Sequence, residues 1–260
     1  MILNGRNALL TGAGKGMGPA IARKLAAEGA DLACLGRDLE ALRALAGEIE
    51  AIGRKCFIFA ADLTRAGDVE QAVALAIAQF SGRLDILVNI AGARGPVDKK
   101  AWELTETDLD EVIDVNLKAV LRVVRAALPS MIARRAGRIV NIGGTHGRRG
   151  RALRSVYSAS KWGLRGLTRS LAREAGPFNI TVNSVSPGPI MGERLKRTIA
   201  ESAAARGISP EAVLAERTAE TALRRFAEDS DVAEAVLFLV SDAARNITGQ
   251  DLAVDAGALA

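Results

Sequence analysis

The segment "TGAGKGMG", Thr11–Gly18, joins the first apolar run of the chain, "NALLT", to its first helix-like run, "MGPAIARKLAAEG". Glycine suits such a turn because a side chain would keep the backbone away from a phosphate group at the start of the helix. Its glycines are Gly12, Gly14, Gly16 and Gly18, a spacing that differs from the usual G-x-G-x-x-G pattern. The turn predicts a strand–helix unit with an anion site, the alternative being a glycine-rich turn that holds no ligand.

The same alternation of short apolar runs and longer helix-like runs continues along the chain. The strand-like runs are "NALLT", "DLACLG", "CFIFAAD", "LDILVNIAG", "GRIVNIG" and "ITVNSVSPG", and a final helical region follows. They are almost continuously apolar, as expected for a parallel sheet that helices cover on both faces. No linker, repeat or low-complexity segment interrupts the pattern. We therefore predict an α/β fold: a single-domain, Rossmann-like, doubly wound parallel sheet over residues 1–260.

Charge and hydropathy exclude several classes of partner. The formal charge of +5 comes from 35 Lys and Arg against 30 Asp and Glu, and aromatic residues make up 3% of the chain. Without a basic patch interleaved with aromatic side chains, no nucleic-acid binding is expected, and a locally basic site for an anionic ligand is favoured. No apolar run reaches the roughly 18 residues of a membrane span. The N-terminus lacks a signal-peptide pattern, so we expect a cytoplasmic protein without membrane contact.

The chain has two cysteines and one histidine. Cys34 and Cys56 lie in apolar strand-like runs, which predicts buried, reduced thiols. With His146 as the only histidine, no metal-ligand spacing is visible. We expect no metal site.

The end of the second strand-like run, "CLGRD", bears on nucleotide choice. An acid at this place accepts hydrogen bonds from a ribose 2′-OH, whereas a basic residue can hold a 2′-phosphate. Here Gly36 is followed by Arg37, with Asp38 one position later, and Lys15 in the glycine turn adds a second cation. The pattern favours NADP(H), while NAD(H) remains possible because Asp38 is close. The alternative is that both cations are solvated surface charges.

Tyr157 and Lys161 are four residues apart, so on a helix they share one face. A phenol, with a pKa of about 10, is a poor acid or base at neutral pH. A nearby ammonium stabilises the phenolate and lowers that pKa, which makes the phenol a usable proton donor to a carbonyl. A lone Y-x-x-x-K pair occurs often by chance, so the segments around it decide its meaning.

Together these segments resemble the short-chain dehydrogenase/reductase family in its common 250-residue form, along essentially the whole chain. The matching pieces are "TGAGKGMG", "ADL" at Ala61–Leu63, "VNIAG" at Val88–Gly92, "DVNLKAV", "GRIVNIGG", "YSASK" and "NSVSPGPI". The resemblance implies an NAD(P)-dependent oxidoreductase that interconverts an alcohol and a ketone or aldehyde. It also implies a small-molecule substrate and a homo-oligomer, a tetramer or a dimer.

The resemblance also implies roles for single residues. Tyr157 would be the acid/base, and Asn116 would hold a water in a proton relay to Lys161. The cofactor-binding residues would be Gly12, Gly14, Lys15, Gly16, Met17, Gly18 and Arg37, then Asp62 and Leu63 at the adenine, Asn89, Ala91, Gly92, Tyr157, Lys161, Pro187 and Gly188, and Ile190 at the nicotinamide carboxamide.

The chain departs from the family pattern beside the tyrosine. The family's serine, thirteen residues before the tyrosine, would fall on Gly144, so its hydrogen bond to the substrate oxygen is missing. Thr145 and His146 are candidate replacements, because either side chain can donate a hydrogen bond. Catalysis by Tyr157 and Lys161 alone is the alternative, because hydride transfer relies mainly on positioning.

Arginines flank the altered position. "RRGRALR" precedes the tyrosine and "AGARGP" follows the fourth strand-like run, both at the edge of the sheet where ligands bind. The planar guanidinium matches a carboxylate, sulfonate or phosphate. Arg94, Arg148 and Arg154 are therefore candidate contacts to an anionic substrate or an acidic carrier protein. The alternative is a solvated basic loop.

Residues 191–226 form a charged, amphipathic segment between the expected nicotinamide contact and the last helix. Ser209 and Pro210 suit an N-cap and first helical position, so two short helices are expected there. We predict a substrate lid, with a subunit contact as the alternative. The sequence as a whole favours an NADPH-preferring dehydrogenase or reductase. A 3-oxoacyl-thioester (acyl-carrier-protein) reductase and a catalytically silent nucleotide-binding sensor or scaffold remain as alternatives.

Overall fold

The computed structural model describes residues 1–192 and 195–260 in full, and residues 193 and 194 by their backbone alone. The described strands are β1 (Asn7–Thr11), β2 (Asp31–Gly36), β3 (Cys56–Ala60), β4 (Ile86–Asn89), β5 (Gly137–Ile142), β6 (Ile180–Pro187) and β7 (Asp251–Val254). They form one parallel sheet in the order β3-β2-β1-β4-β5-β6-β7. The predicted doubly wound parallel sheet is confirmed.

Helices connect the strands and cover both faces of the sheet. They are α1 (Gly18–Ala27), α2 (Leu39–Ala51), α3 (Ala66–Gln79), α4 (Glu106–Ile113), α5 (Ala119–Arg134), α6 (Ser155–Ala175), α7 (Glu193–Arg206), α8 (Pro210–Ala219) and α9 (Asp229–Val240). The apolar residues of α1, α2 and α9 form one core layer, and those of α3, α5 and α6 form the other. The sheet lies between the two layers.

The sequence of β1 shows why both layers are needed. Ala8 and Leu10 belong to the layer of α1, whereas Leu9 between them belongs to the opposite layer. All three are fully buried. Because successive side chains of a strand point to opposite faces, an unbroken apolar run is stable only when both faces are covered. Burying each such leucine contributes about 1.5–3 kcal/mol.

The sheet order places the ligand site. The chain moves outward from β1 to β3 and then returns to β4 on the other side of β1. In open α/β sheets this reversal leaves a crevice outside the carboxyl ends of the strands, where ligands bind. The glycine turn after β1 and the loop after β4 therefore face each other across this crevice.

The structure adds two features that the sequence did not predict. Strand β7 pairs with β6 at the sheet edge, whereas only a helical region was expected after β6. It has only four residues, so the sequence gives a weak signal for it. A π-helical turn, Asp114–Lys118, also lies between α4 and α5. In the lid segment, α7 and α8 are present, and Ser209 caps α8.

Two further expectations concern the core and the membrane. Cys34 and Cys56 are buried free thiols on neighbouring strands, with their Sγ atoms 3.8 Å apart. This agrees with the predicted reduced pair. Among the residues searched, no helix combines the length and the apolar character that crossing a membrane requires.

We expect Gly12→Ala to destabilise the protein more than Gly16→Ala does. Both glycines have positive φ, +68° and +59°, where an alanine costs about 1–2 kcal/mol. A Cβ on Gly12 would also lie 2.8 Å from the Cα of Ala91, whereas nothing lies within 4 Å of a Cβ on Gly16. Thermal and urea unfolding of both variants measures the difference. Equal losses would contradict the proposed close packing of the turn against Ala91.

Candidate active site

A cleft of about 1800 Å³ opens at the carboxyl ends of the strands. It is lined by many of the predicted site residues, namely Gly12, Gly14, Lys15, Gly16, Met17, Arg37, Asp62, Leu63, Ala91, Gly92, Arg94, Thr145, His146, Arg154, Tyr157, Lys161, Pro187, Gly188 and Ile190. Gly18, Asn89, Asn116 and Arg148 lie outside its lining. The lining also includes Leu195, Arg197 and Thr198 of α7 and Arg217 of α8.

The glycine turn suits the phosphates of a dinucleotide. Helix α1 starts at Gly18 without a side-chain cap and without an acidic residue in its first turn. The first N–H groups of such a helix lack internal partners and attract an anion. A Cβ on Gly18 would lie 2.5 Å from the carbonyl oxygen of Gly12, which explains why this position, behind the cleft wall, is a glycine. The residues present therefore fit a pyrophosphate.

The nucleotide end of the cleft carries three charged side chains. Arg37 is exposed on the cleft, and Lys15, whose side chain is 77% exposed, forms an ion pair with Asp38 at 2.9 Å. Asp38 also caps α2 by accepting a hydrogen bond from the N–H of Ala41. This backbone bond, followed by the contact with Lys15, lowers the pKa of Asp38. The sequence predicted both cations but not that Asp38 would already be paired with one of them.

Side-chain hydrogen bonds hold the cleft wall at Asp62, which is predicted to contact the adenine, and the strand β4 behind it. Asp62 accepts from the backbone N–H and the hydroxyl of Thr64, and these bonds lower the pKa of Asp62. Asn89 donates to the side-chain oxygen of Asn141, whose amide donates to the hydroxyl of Thr168. Asn89 is 2% exposed, so it supports the wall from behind.

Tyr157 and Lys161 lie one helical turn apart on α6, as predicted. Lys161 is 4% exposed, and its Nζ donates to the carbonyl oxygen of Ile142 at 3.0 Å. Burial lowers the pKa of Lys161 to about 8. The ammonium lies 5.8 Å from the centroid of the Tyr157 ring, and the guanidinium of Arg154 lies 4.6 Å from it. Two cations therefore flank the phenol, which favours the phenolate.

Asn116 lies in the π-helical turn and ties the loop after β4 to α6. Its amide donates to the carbonyl oxygen of Ala93 and to the hydroxyl of Ser160, and its Oδ1 accepts from the N–H of Ala93 at 2.7 Å. A Cβ on Gly92 would lie 3.3 Å from Asn116 Oδ1 and 3.8 Å from Lys161 Nζ. Glycine at 92 thus leaves the space between these two polar groups open.

Gly144 lies beside the tyrosine hydroxyl. A Cβ at this position would be 3.7 Å from Tyr157 Oη and 3.9 Å from the carbonyl oxygen of Pro187, so there is room for a small side chain. Its φ of +158° lies at the border of the region that favours glycine. A serine here therefore requires a small backbone adjustment and would bring its hydroxyl next to the phenol.

His146, two residues after Gly144, lies against the tyrosine ring. Its ring packs edge-to-face on the Tyr157 ring, with centroids 5.3 Å apart. Its Nε2 is buried and makes no hydrogen bond to any described residue. Burial, and then the charges of Arg154, Arg151, Arg149 and Arg94, lower the pKa of His146 to about 4. The imidazole is therefore neutral near pH 7, with one nitrogen able to donate and the other able to accept.

The substrate end of the cleft is rich in arginine. Besides the predicted Arg94 and Arg154, it is lined by Arg149, Arg151, Arg197 and Arg217, against Glu220 and Asp229. Arg148 points elsewhere: its Nε lies 3.4 Å from Asp251 Oδ2. The sequence could not reveal Arg197 of α7 and Arg217 of α8, because only the fold brings these helices to the same cleft as the loop after β5.

Three comparisons bear on this site. The family model described as enoyl-(acyl carrier protein) reductase matches residues 12–258. A short-chain dehydrogenase/reductase of Armillaria gallica is 39% identical, with 98% of this chain and 97% of that protein covered. A 3-oxoacyl-(acyl-carrier-protein) reductase of Staphylococcus aureus is 36% identical, with 97% of each covered.

A solved structure gives the same result. The crystal structure of actinorhodin polyketide ketoreductase with NADPH superposes with a TM-score of 0.89 at 33% identity, and the match covers 97% of each chain. The matches extend over the glycine turn, the Tyr157–Lys161 pair and the lid. The chain belongs to the short-chain dehydrogenase/reductase family, and it is an NAD(P)-dependent oxidoreductase that interconverts alcohol and carbonyl groups.

Proposed function

We propose that the protein is an NADPH-preferring reductase or dehydrogenase for a small anionic carbonyl or alcohol substrate. The observation that carries this proposal is the position of Tyr157: it lies between a buried ammonium and a cleft wall rich in arginine. Such a site combines proton transfer with anion binding. The form that we propose is a cytoplasmic homotetramer or homodimer, with residues 191–226 acting as the substrate lid.

The roles of the residues follow from their chemistry. The nicotinamide cofactor, when bound, supplies or accepts the hydride. In reduction, Tyr157 Oη donates a proton to the carbonyl oxygen of the substrate, and Lys161 stabilises the phenolate that remains. In oxidation the phenolate takes the proton back. Asn116 holds the loop after β4 in place and, through water, would return protons to Lys161.

Anion binding is the second part of the proposal. The arginines of the cleft are close enough to His146 to lower its pKa, so they act together on one region. An anionic substrate would relieve their mutual repulsion, and a guanidinium binds a carboxylate or phosphate through two parallel hydrogen bonds. The neutral His146 adds a donor or acceptor without adding another positive charge.

A carrier-linked thioester is the second candidate. The relative from Staphylococcus aureus is named a 3-oxoacyl-(acyl-carrier-protein) reductase. Arg94, Arg149 and Arg151 are exposed at the cleft, where they could meet an acidic carrier protein. A third alternative, a catalytically silent nucleotide-binding sensor, requires that Tyr157 and Lys161 do no chemistry.

We expect NADPH to bind at least tenfold more tightly than NADH, a difference of about 1.4 kcal/mol. Arg37 supplies the cation for the 2′-phosphate, so Arg37→Asp should reverse the order. Lys15→Gln should have a smaller effect, because Lys15 already pairs with Asp38. Fluorescence titration with both cofactors measures these affinities. Equal affinities of the native protein for NADPH and NADH would refute the cofactor assignment.

We expect an oxocarboxylic acid to react with at least tenfold higher kcat/KM than its methyl ester. The double variant Arg94→Gln, Arg151→Gln should reduce that ratio mainly through KM, because it removes positive charge from the cleft wall. Arg173→Gln, at the exposed end of α6, is the matched control and should leave the ratio unchanged. A preference for the ester, or for a carrier-bound thioester over both, would point to the second candidate instead.

Tyr157→Phe should nearly abolish turnover and leave NADPH affinity within a few-fold, because it removes the proton donor and little else. Lys161→Ala should reduce both, since the ammonium serves the phenol and the ribose. Steady-state kinetics and cofactor titration of the same preparations separate the two effects. Native turnover by Tyr157→Phe in every reaction found would exclude the mechanism and favour a silent protein.

Restoring the family's serine tests what replaced it. We expect Gly144→Ser to be neutral or harmful, because His146 already packs on Tyr157 beside that position. His146→Ala or Thr145→Val should cost about 2–4 kcal/mol in kcat/KM, the value of one oxyanion donor. A rise in turnover for Gly144→Ser, with no loss for either of the other variants, would show that the donor position is simply vacant.

A further inference from the structure

One buried carboxylate is connected to both ends of the turn that carries Thr145 and His146. Asp251, the first residue of β7, has a side chain that is 5% exposed. Its Oδ1 accepts hydrogen bonds from the hydroxyls of Ser184 and Ser186, each at 2.6 Å. The Ser186 hydroxyl in turn accepts from the backbone N–H of Gly144 at 3.2 Å. The start of the turn is thus tied to Asp251 through one serine.

The end of the turn is tied to the same carboxylate through an arginine. Arg165 Nη1 donates to the carbonyl oxygen of Gly147 at 2.8 Å, and its Nε lies 3.1 Å from Asp251 Oδ2. Arg148 Nε approaches the same oxygen at 3.4 Å. These two contacts are ion pairs without hydrogen-bond geometry, because neither Asp251 Oδ2 nor Arg165 Nε has a hydrogen-bond partner among the described residues. A buried carboxylate needs such opposite charges nearby to be stable.

Arg165 also lies on α6, the helix that carries Tyr157 and Lys161. It follows Lys161 by four residues and Tyr157 by eight, so all three side chains lie on one face of α6. The turn 144–147 is therefore held against the same helix that carries the tyrosine. Within this arrangement the rings of His146 and Tyr157 make an edge-to-face contact.

We propose that Asp251 is a positioning residue: through Ser186 and Arg165 it fixes both ends of the turn 144–147 and so holds His146 and Thr145 beside Tyr157. The effect of this turn on turnover rests on the proposed function, in which these side chains contact substrate. The placement of the turn itself does not. Asp251 does not line the cleft, and its described partners are Ser184, Ser186, Arg148 and Arg165, so we expect it to act through other residues.

The composition of the chain gives a direct readout of this placement. The protein has one histidine and one tyrosine, so a nuclear Overhauser effect between a histidine ring and a tyrosine ring can come only from this pair within a chain. With both residues selectively labelled, the native protein should show that signal. Asp251→Asn keeps an acceptor for the serines but loses the charge that faces Arg165. Ser186→Ala cuts the connection to Gly144. Both variants should weaken the signal.

Ser184→Ala is the matched control. It removes an equally short hydrogen bond from the same carboxylate oxygen, yet Ser184 makes no contact with the turn. It should keep the ring–ring signal and the native kcat. Asp251→Asn and Ser186→Ala should lower kcat at least tenfold, about 1.4 kcal/mol of barrier, while the KM for NADPH stays within twofold. Melting temperature and far-UV circular dichroism verify that each variant is folded.

The outcomes separate this proposal from the proposed function. Loss of the ring–ring signal in Ser186→Ala but not in Ser184→Ala supports the positioning role even if no substrate is found. An unchanged signal in folded Asp251→Asn and Ser186→Ala would overturn it. So would equal losses of signal in Ser184→Ala and Ser186→Ala, because they would indicate general loosening of β6 and β7. A weakened signal with native kcat would support the role of Asp251 in placing the turn, and it would contradict a contribution of the turn to catalysis.

Discussion

The burial of the Lys161 ammonium is the constraint on which the site depends. A cation transferred from water to a protein interior is costly unless partners surround it. Here the carbonyl of Ile142 is one partner, and no carboxylate of a described residue lies within ion-pair distance. Because no carboxylate neutralises the ammonium, a nearby phenolate, or the oxygens of a ribose, would stabilise it. Strand β5, helix α6 and the glycine at 92 are arranged around this one group.

The two ends of the cleft also differ in their balance of charged residues. At the nucleotide end, acids accompany the cations, since Asp38 pairs with Lys15 and Asp62 lies near Arg37. Around Tyr157, arginines outnumber acids among the lining residues, and burial, followed by the charges of these arginines, lowers the pKa of His146. Positive charge is therefore concentrated beside Tyr157, whereas ion pairing with Asp38 offsets part of the positive charge at Lys15.

Sequence patterns predicted what depends on local residues. The strands of the core, the glycine turn, the Tyr157–Lys161 pair and the cap at Ser209 follow from apolar runs, spacing or capping chemistry. The pattern did not predict β7, whose four residues are too few to stand out, nor the role of Asp251 at its start. The lid residue Arg197 and the pairing of Lys15 with Asp38 depend on proximity in space, which no local pattern encodes. The missing hydroxyl at Gly144 was visible, but the ring of His146 against Tyr157 was not.

The π-helical turn at Asp114–Lys118 has a consequence for how the protein can change. A wide turn of this kind equals an α-helix with one additional residue, and each residue rotates a helix by about 100°. The extra residue lets Asn116 reach Ala93 while Val120, Val123 and Val124 of α5 still pack on the sheet. Deleting one residue here would restore a regular helix. Either Asn116 would then rotate away from Ala93, or the valines of α5 would rotate away from the sheet. An insertion or deletion in this helix would therefore break one of these sets of contacts, whereas substitutions on its exposed surface would preserve both.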